Sequence, residues 1–282
     1  MNIATKTMLY IVFLLSLNSL MIGKTNLWAI GNIVFFSVGC FVTGFFSEHC
    51  DNANTLYLMF LIVPIVVTLL SLVFFYASRI FKADFFMFFS LFIIELNSVI
   101  NKLVAGSSGY SNIGRPWGLS SDMGLMLVVM LFMFLVIYGI YRFDRSRVVK
   151  LHTIIRNNEL LASSWGINSN KTQLPVFVVS AVLSGLVGVF FAFCIFGADP
   201  NAFTTNNIVV LFALVVFCGI DSIKGSVVAG MIYVLFTFLL ESALFKLYPL
   251  AAPKIAQIIF GLLLVASPIL MPKGLFGKRD FK

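Results

Sequence analysis

The chain has 282 residues, of which 60% are hydrophobic and only 11% charged, with a mean hydropathy of +1.04. A soluble fold of this size cannot bury that much apolar side chain, so the solvent for most of it must be lipid. The net charge of +8 sits in short breaks between apolar runs, which is the pattern of cytoplasmic loops rather than of a nucleic-acid-binding surface.

The length allows about nine crossings at roughly 20 residues each, with little left for a soluble domain. The apolar segments are 8–22, 30–46, 56–76, 85–104, 122–141, 174–197, 206–220, 226–245 and 254–271. Two of them, 30–46 and 206–220, are short for a full crossing. Lys6 followed by Met8–Leu17 is similar to a signal peptide, but no small-residue cleavage site follows, so the run reads as a retained helix. The expected fold is therefore all-α, a polytopic membrane helix bundle of about eight to nine transmembrane segments. Residues 1–282 read as one transmembrane domain.

Glu48-His49-Cys50-Asp51 is the first polar break that could bind a metal. No second ligand group has a suitable spacing, and it reads as a polar loop with no metal. Glu95 then stands near the middle of segment 85–104, followed by Asn97 and Asn101. An ionised carboxylate there must be paired, neutral or facing a polar cavity. Two readings stay open: a polar lining of a translocation path, with Asn101 nearer the Glu95 side, or interhelical hydrogen bonds that hold the bundle.

The break 142–173 carries Arg142, Arg145, Arg147, Lys150, Arg156 and Lys171 against Asp144 and Glu159. The tail carries Lys273, Lys278, Arg279 and Lys282 against Asp280. This excess places both on the cytoplasmic side and 47–55 and 105–121 outside. Counting back through full crossings puts the N-terminus outside, unless one of the first two segments is re-entrant. Within 142–173, Leu151, Ile154, Ile155, Leu161, Ala162 and Trp165 recur at helical spacing, which predicts one amphipathic helix from Arg147 to Trp165 ended by Gly166. Its apolar face needs a bilayer surface or a protein to cover it. The interruption at Asn158 and the mixed charge favour a protein partner.

No G-x-x-x-x-G-K-[ST] phosphate loop, nucleophile–base pattern or H-x-x-x-H pair occurs in the sequence. Enzyme chemistry and direct ATP hydrolysis are not expected, and neither is a cofactor.

Several blocks, in order along the chain, carry a resemblance. Gly23–Asn32 resembles G-x-x-x-L-x-S-x-G-H; Ser90–Glu95 resembles T-L-x-x-x-E; Gly106–Gly109 resembles T-G-G-x-x-G. Ile155-Arg156-Asn157-Asn158-Glu159, Leu161-Ala162 and Gly166-Ile167 resemble I-R-x-N-E-x-A-A-x-x-x-G-I. Gly219–Gly225 resembles G-G-x-G-S-x-x-G-P, and Pro272–Gly277 matches P-x-G-L-x-G. These blocks are similar to those of permease subunits of bacterial ABC importers of the branched-chain amino acid type, a group that includes urea-type permeases. Asn32 stands where that family has histidine, and Asp221 and Ser226 stand where it has a glycine and a proline.

The resemblance implies a permease in the bacterial inner membrane that imports a small polar solute such as a branched-chain or related amino acid. It implies a single permease domain over 1–282, in which the cytoplasmic loop 142–173 bears an ATPase-docking helix. It implies a second permease subunit, two cytoplasmic ATPase subunits and an extracytoplasmic solute-binding protein as partners, within a lipid bilayer. It implies that Leu151, Ile155, Arg156, Glu159, Leu161, Ala162, Trp165 and Gly166 dock the ATPase. The alternative from the residues alone is a self-contained secondary transporter in which Glu95 exchanges protons.

Overall fold

The structure is a computed structural model that describes residues 3–25, 30–49, 53–81, 83–116, 119, 121–243, 258, 261–262, 266 and 274–276. Most of segment 254–271 lies outside these residues. So do Cys50 and Asp51 of the first polar break, and the charged tail residues Lys273, Lys278, Arg279, Asp280 and Lys282.

Ten helices account for most of the described chain. They are α1 (Ile3–Thr25), α2 (Asn32–His49), α3 (Met59–Ile80), α4 (Ala83–Ala105), α5 (Asp122–Asp144), α6 (Arg147–Asn157), α7 (Glu159–Ser164), α8 (Ser169–Ile195), α9 (Thr205–Cys218) and α10 (Ile223–Ala243). Five of these are long and apolar enough to cross a membrane: α1, the helix ending at Ile80, α4 from Phe85, α5 and α8. α9 and the apolar part of α10 are shorter. At 1.5 Å per residue, α2 spans about 27 Å and α9 about 21 Å, so α9 falls furthest short of a hydrocarbon core among the described apolar helices.

Contacts sort the helix ends into two polar faces. At one face Lys24 of α1 pairs with Asp144 at the end of α5, and Arg79 at the end of α3 pairs with Glu159. At the other, Tyr110–Ser111 (β1) pairs antiparallel with Gly197–Ala198 (β2), and Arg115 pairs with Asp122 at the start of α5. α1 runs from the second face to the first; α2 begins beside Ser16 and Ser184, mid-way along α1 and α8, and runs to the second face, where Ser47 accepts from the Gly114 amide. The β1–β2 ribbon is an element that the sequence pattern does not predict, because two residues per strand are too few to show alternation.

The core lies along α2 and α8. A Cβ on Gly39 would come within 2.0 Å of the Gly185 carbonyl oxygen, and one on Gly188 within 2.2 Å of the Phe36 carbonyl oxygen. Small residues at these positions let two backbones touch, which is how membrane helices gain packing without a hydrophobic driving force. Around the crossing, Phe36 meets Phe13, Phe191 and Phe203 at ring-centroid distances of 5.1–5.2 Å. The outward faces of α3, α4 and α5 expose Leu61, Leu69, Phe88, Phe92, Leu131 and Phe134, as a lipid-facing surface requires.

One expectation is corrected here. The helix predicted to run without a break from Arg147 to Trp165 is two helices. Asn158 takes an extended conformation (φ −159°, ψ 107°), and its side-chain oxygen accepts from the Leu161 amide to cap α7. Asparagine competes for backbone hydrogen bonds in this way, and the cap outweighs helix continuation.

Candidate functional site

The polar face built around α6 and α7 gathers most of the residues singled out by sequence. The break at Asn158 divides them. Ile155 and Ala162 turn into the protein and are buried. Leu151, Leu161 and Trp165 stay outside, at 37%, 45% and 65% exposed. Gly166 ends α7 at φ +76°, where the Ile167 amide returns to the Ala162 carbonyl at 3.0 Å. Glycine takes that left-handed conformation without a Cβ clash. Beside this turn an open groove of about 450 Å³ is lined by Glu159, Ser163, Gly166 and Asn168.

Two charged residues moor the pair of helices. Arg156 Nη1 donates to the Gly23 carbonyl at 3.2 Å and lies 3.4 Å from Asp221 Oδ2. Glu159 accepts from Arg79 at 3.0 Å, and Arg79 also reaches Gln173. Beneath them is a cluster that the sequence pattern does not reveal. Lys24, 5% exposed, lies 2.7 Å from Asp144 Oδ1 and 2.9 Å from Asp221 Oδ1. Asn18 adds a neutral layer: its amide nitrogen donates to the Gly219 carbonyl at 3.1 Å and to Ser226 Oγ at 2.9 Å. Burial holds the Asp221 carboxyl above its ordinary value, with Asp144 acting the same way and Lys24 and Arg156 opposing in part. Burial lowers the pKa of the Arg156 guanidinium, opposed by Asp221. His152, buried on α6, is held below its ordinary value by burial, and the charge of nearby Lys24 acts in the same direction. The only signals of this cluster in the sequence are a lone lysine at the end of an apolar run and an aspartate at a glycine position.

The second candidate group separates on α4. Asn97 and Asn101 both turn inward, and their amides donate to Ser37 Oγ of α2 at 2.9 and 2.8 Å. Glu95 is exposed on the opposite side, within the outward stripe of Phe88, Phe92, Leu96 and Val99. Two positions along a helix turn it by about 200°, so with Asn97 on Ser37, Glu95 points away. Asn101 therefore sits away from Glu95 rather than nearer its side. A further polar cavity of about 380 Å³ opens at the β-ribbon face, lined by Ser47, Glu48, Tyr110, Ser111 and Asn112.

The family model described as "Branched-chain amino acid transport system / permease component" matches residues 1–268. The chain belongs to this family. Similar proteins include the high-affinity branched-chain amino acid transport system permease protein LivM of Escherichia coli (strain K12), 23% identical over 97% of this chain and 69% of the relative. LivM of Salmonella typhimurium (strain LT2) is 24% identical over the same shares. No solved structure matches the chain. Family membership and the five long apolar helices make this permease a multi-pass membrane protein.

Proposed function

We propose that this permease is the membrane-spanning subunit of an ATP-binding-cassette importer that carries branched-chain or related amino acids across the bacterial inner membrane. It would work with a second permease subunit, two cytoplasmic ATPase subunits and an extracytoplasmic solute-binding protein. The relatives named for branched-chain amino acid transport support the substrate class. The observation that carries the reading is the exposed apolar surface of α6 and α7. Leu151, Leu161 and Trp165 face outward from a polar end of the bundle, while Ile155, Ala162, Arg156 and Glu159 fix the two helices beneath them. Exposed aromatic and leucine side chains on a moored platform suit a protein partner, since such anchors dominate interfaces.

Glu95 is the residue assigned to the translocation path. A carboxylate in the middle of an outward apolar stripe is costly against lipid, so this face of α4 is better covered by the second permease or a polar pathway between the two. Asn97 and Asn101 are committed to Ser37 and brace α4 against α2.

The test is co-purification of the ATPase subunits with tagged permease, together with ATP-dependent uptake in proteoliposomes. Retained ATPase and uptake that stops without ATP are expected. Uptake by the purified chain alone, driven by a proton gradient, would instead establish the secondary transporter that uses Glu95.

A further inference from the structure

We propose that Asp221 is a positioning residue that links movement of α6 to α1 and to the turn between α9 and α10. The proposal rests on the reading of α6 and α7 as the ATPase dock. Asp221 takes φ +63°, a left-handed conformation that favours glycine. It stands where the resembled pattern has glycine, so a less suitable residue for the backbone occupies the turn.

Its side chain and amide are used on three sides. Oδ1 accepts from Lys24 Nζ of α1 at 2.9 Å. Oδ2 faces Arg156 of α6 at 3.4 Å. The Asp221 amide donates to Asn18 Oδ1 at 3.0 Å. Lys24 in turn reaches Asp144 at the end of α5. One carboxylate thus joins α1, α5, α6 and the turn. A Cβ on Gly23 would lie 2.5 Å from Asp221 Oδ1, so the carboxylate rests directly against the α1 backbone.

The second departure from the pattern works in the same place. Ser226, where the pattern has proline, accepts from Asn18, which lies in the π-helical turn Ser16–Ile22 of α1. The turn is also held from the other side: the Leu275 and Phe276 amides donate to the Phe217 and Cys218 carbonyls at 3.0 and 2.9 Å. Ile155 and Ala162 give α6 and α7 apolar contact with the bundle, but such contact is not directional. The Arg156–Asp221 and Arg156–Gly23 contacts fix direction, and a partly buried charged link is costly to part. When α6 is displaced, the end of α1 and the α9–α10 turn should follow.

The experiment uses the complete transporter in nanodiscs and the permease alone. Asp221→Gly removes the carboxylate and eases the backbone, and Lys24 keeps Asp144 as a counter-charge. Asp221→Asn is the isosteric neutral control. Both variants are expected to assemble at the wild-type level and keep basal ATP hydrolysis. Amino acid moved per ATP hydrolysed should fall by roughly threefold or more. Hydrogen exchange of the α6 amides should rise in both preparations. Unchanged transport per ATP in both variants would overturn the proposal, as would unchanged α6 exchange. If the wild-type permease binds no ATPase, the docking reading fails and the coupling role with it, whereas the exchange result still reports the link itself.

Discussion

The two polar faces of the bundle are closed by different chemistry. At the α6–α7 face, Lys24, Asp144, Asp221 and Arg156 are charges from separate parts of the chain, drawn together and largely shielded from solvent. At the β-ribbon face, backbone hydrogen bonds pair Tyr110 with Ala198, and Arg115 donates to the Phe193 carbonyl at 2.7 Å and pairs with exposed Asp122. Lys24 is the buried cation between Asp144 and Asp221, so the first face should respond sharply when that cation is lost. Backbone pairing spreads the cost, and the second face should respond weakly. The contrast suits one end that transmits force and another that only closes the bundle.

The largest expected effect breaks the first face. Lys24→Met leaves Asp144 and Asp221 without their shared cation and should cost roughly 3–5 kcal/mol, read as a lower midpoint in thermal unfolding of the solubilised protein. A midpoint within error of wild type would show that the cluster is not held as a unit. Next, Leu161→Asp and Ala162→Asp place the same charge at an exposed and a buried position of α7. The buried site should lose roughly 3 kcal/mol of stability. The exposed site should keep its stability and lose ATP-driven uptake. Equal loss of stability at both would contradict the difference between the buried and the exposed positions of α7.

At the ribbon face, Arg115→Met should cost less than Lys24→Met: Arg115 is buried and gives up the Phe193 carbonyl, but the carboxylate it leaves behind, Asp122, is largely exposed and solvated. A loss as large as that of Lys24→Met would remove the difference between the two faces. The smallest effect concerns pH. Burial holds the His152 pKa below its ordinary value, so its contribution to stability is complete above about pH 6.5 and is lost as pH falls toward the folded-state value. Lower stability on acidification is expected, with a smaller drop in His152→Phe. The same drop in both proteins would assign the titration to another group.

The helices α3, α4, α5 and α8 are legible in the sequence because their apolar runs match or exceed the length of a membrane crossing, and the resemblance follows from blocks spread along the chain. Periodicity puts Ile155 and Ala162 on one face with Leu161 and Trp165, whereas the structure buries the first two and exposes the second two. Periodicity does not show the break at Asn158, because the capped and continuous forms place apolar residues at nearly the same spacing. It also does not show that Asn97 and Asn101 turn to Ser37, since which face of a largely apolar helix points inward depends on its neighbours. The charge cluster is hidden for a related reason. Lys24, Asp144 and Asp221 lie far apart in sequence, and each alone reads as an ordinary charge at a helix end.

The central claim is that the outer side of α6 and α7 meets the ATPase. Photo-crosslinking from a reactive residue placed at position 161 in intact membranes tests it most directly, with position 69 on the outward face of α3 as the comparison. The account predicts a crosslink to the ATPase subunit from position 161 and crosslinks only to lipid from position 69. Lipid adducts alone from position 161 would contradict it.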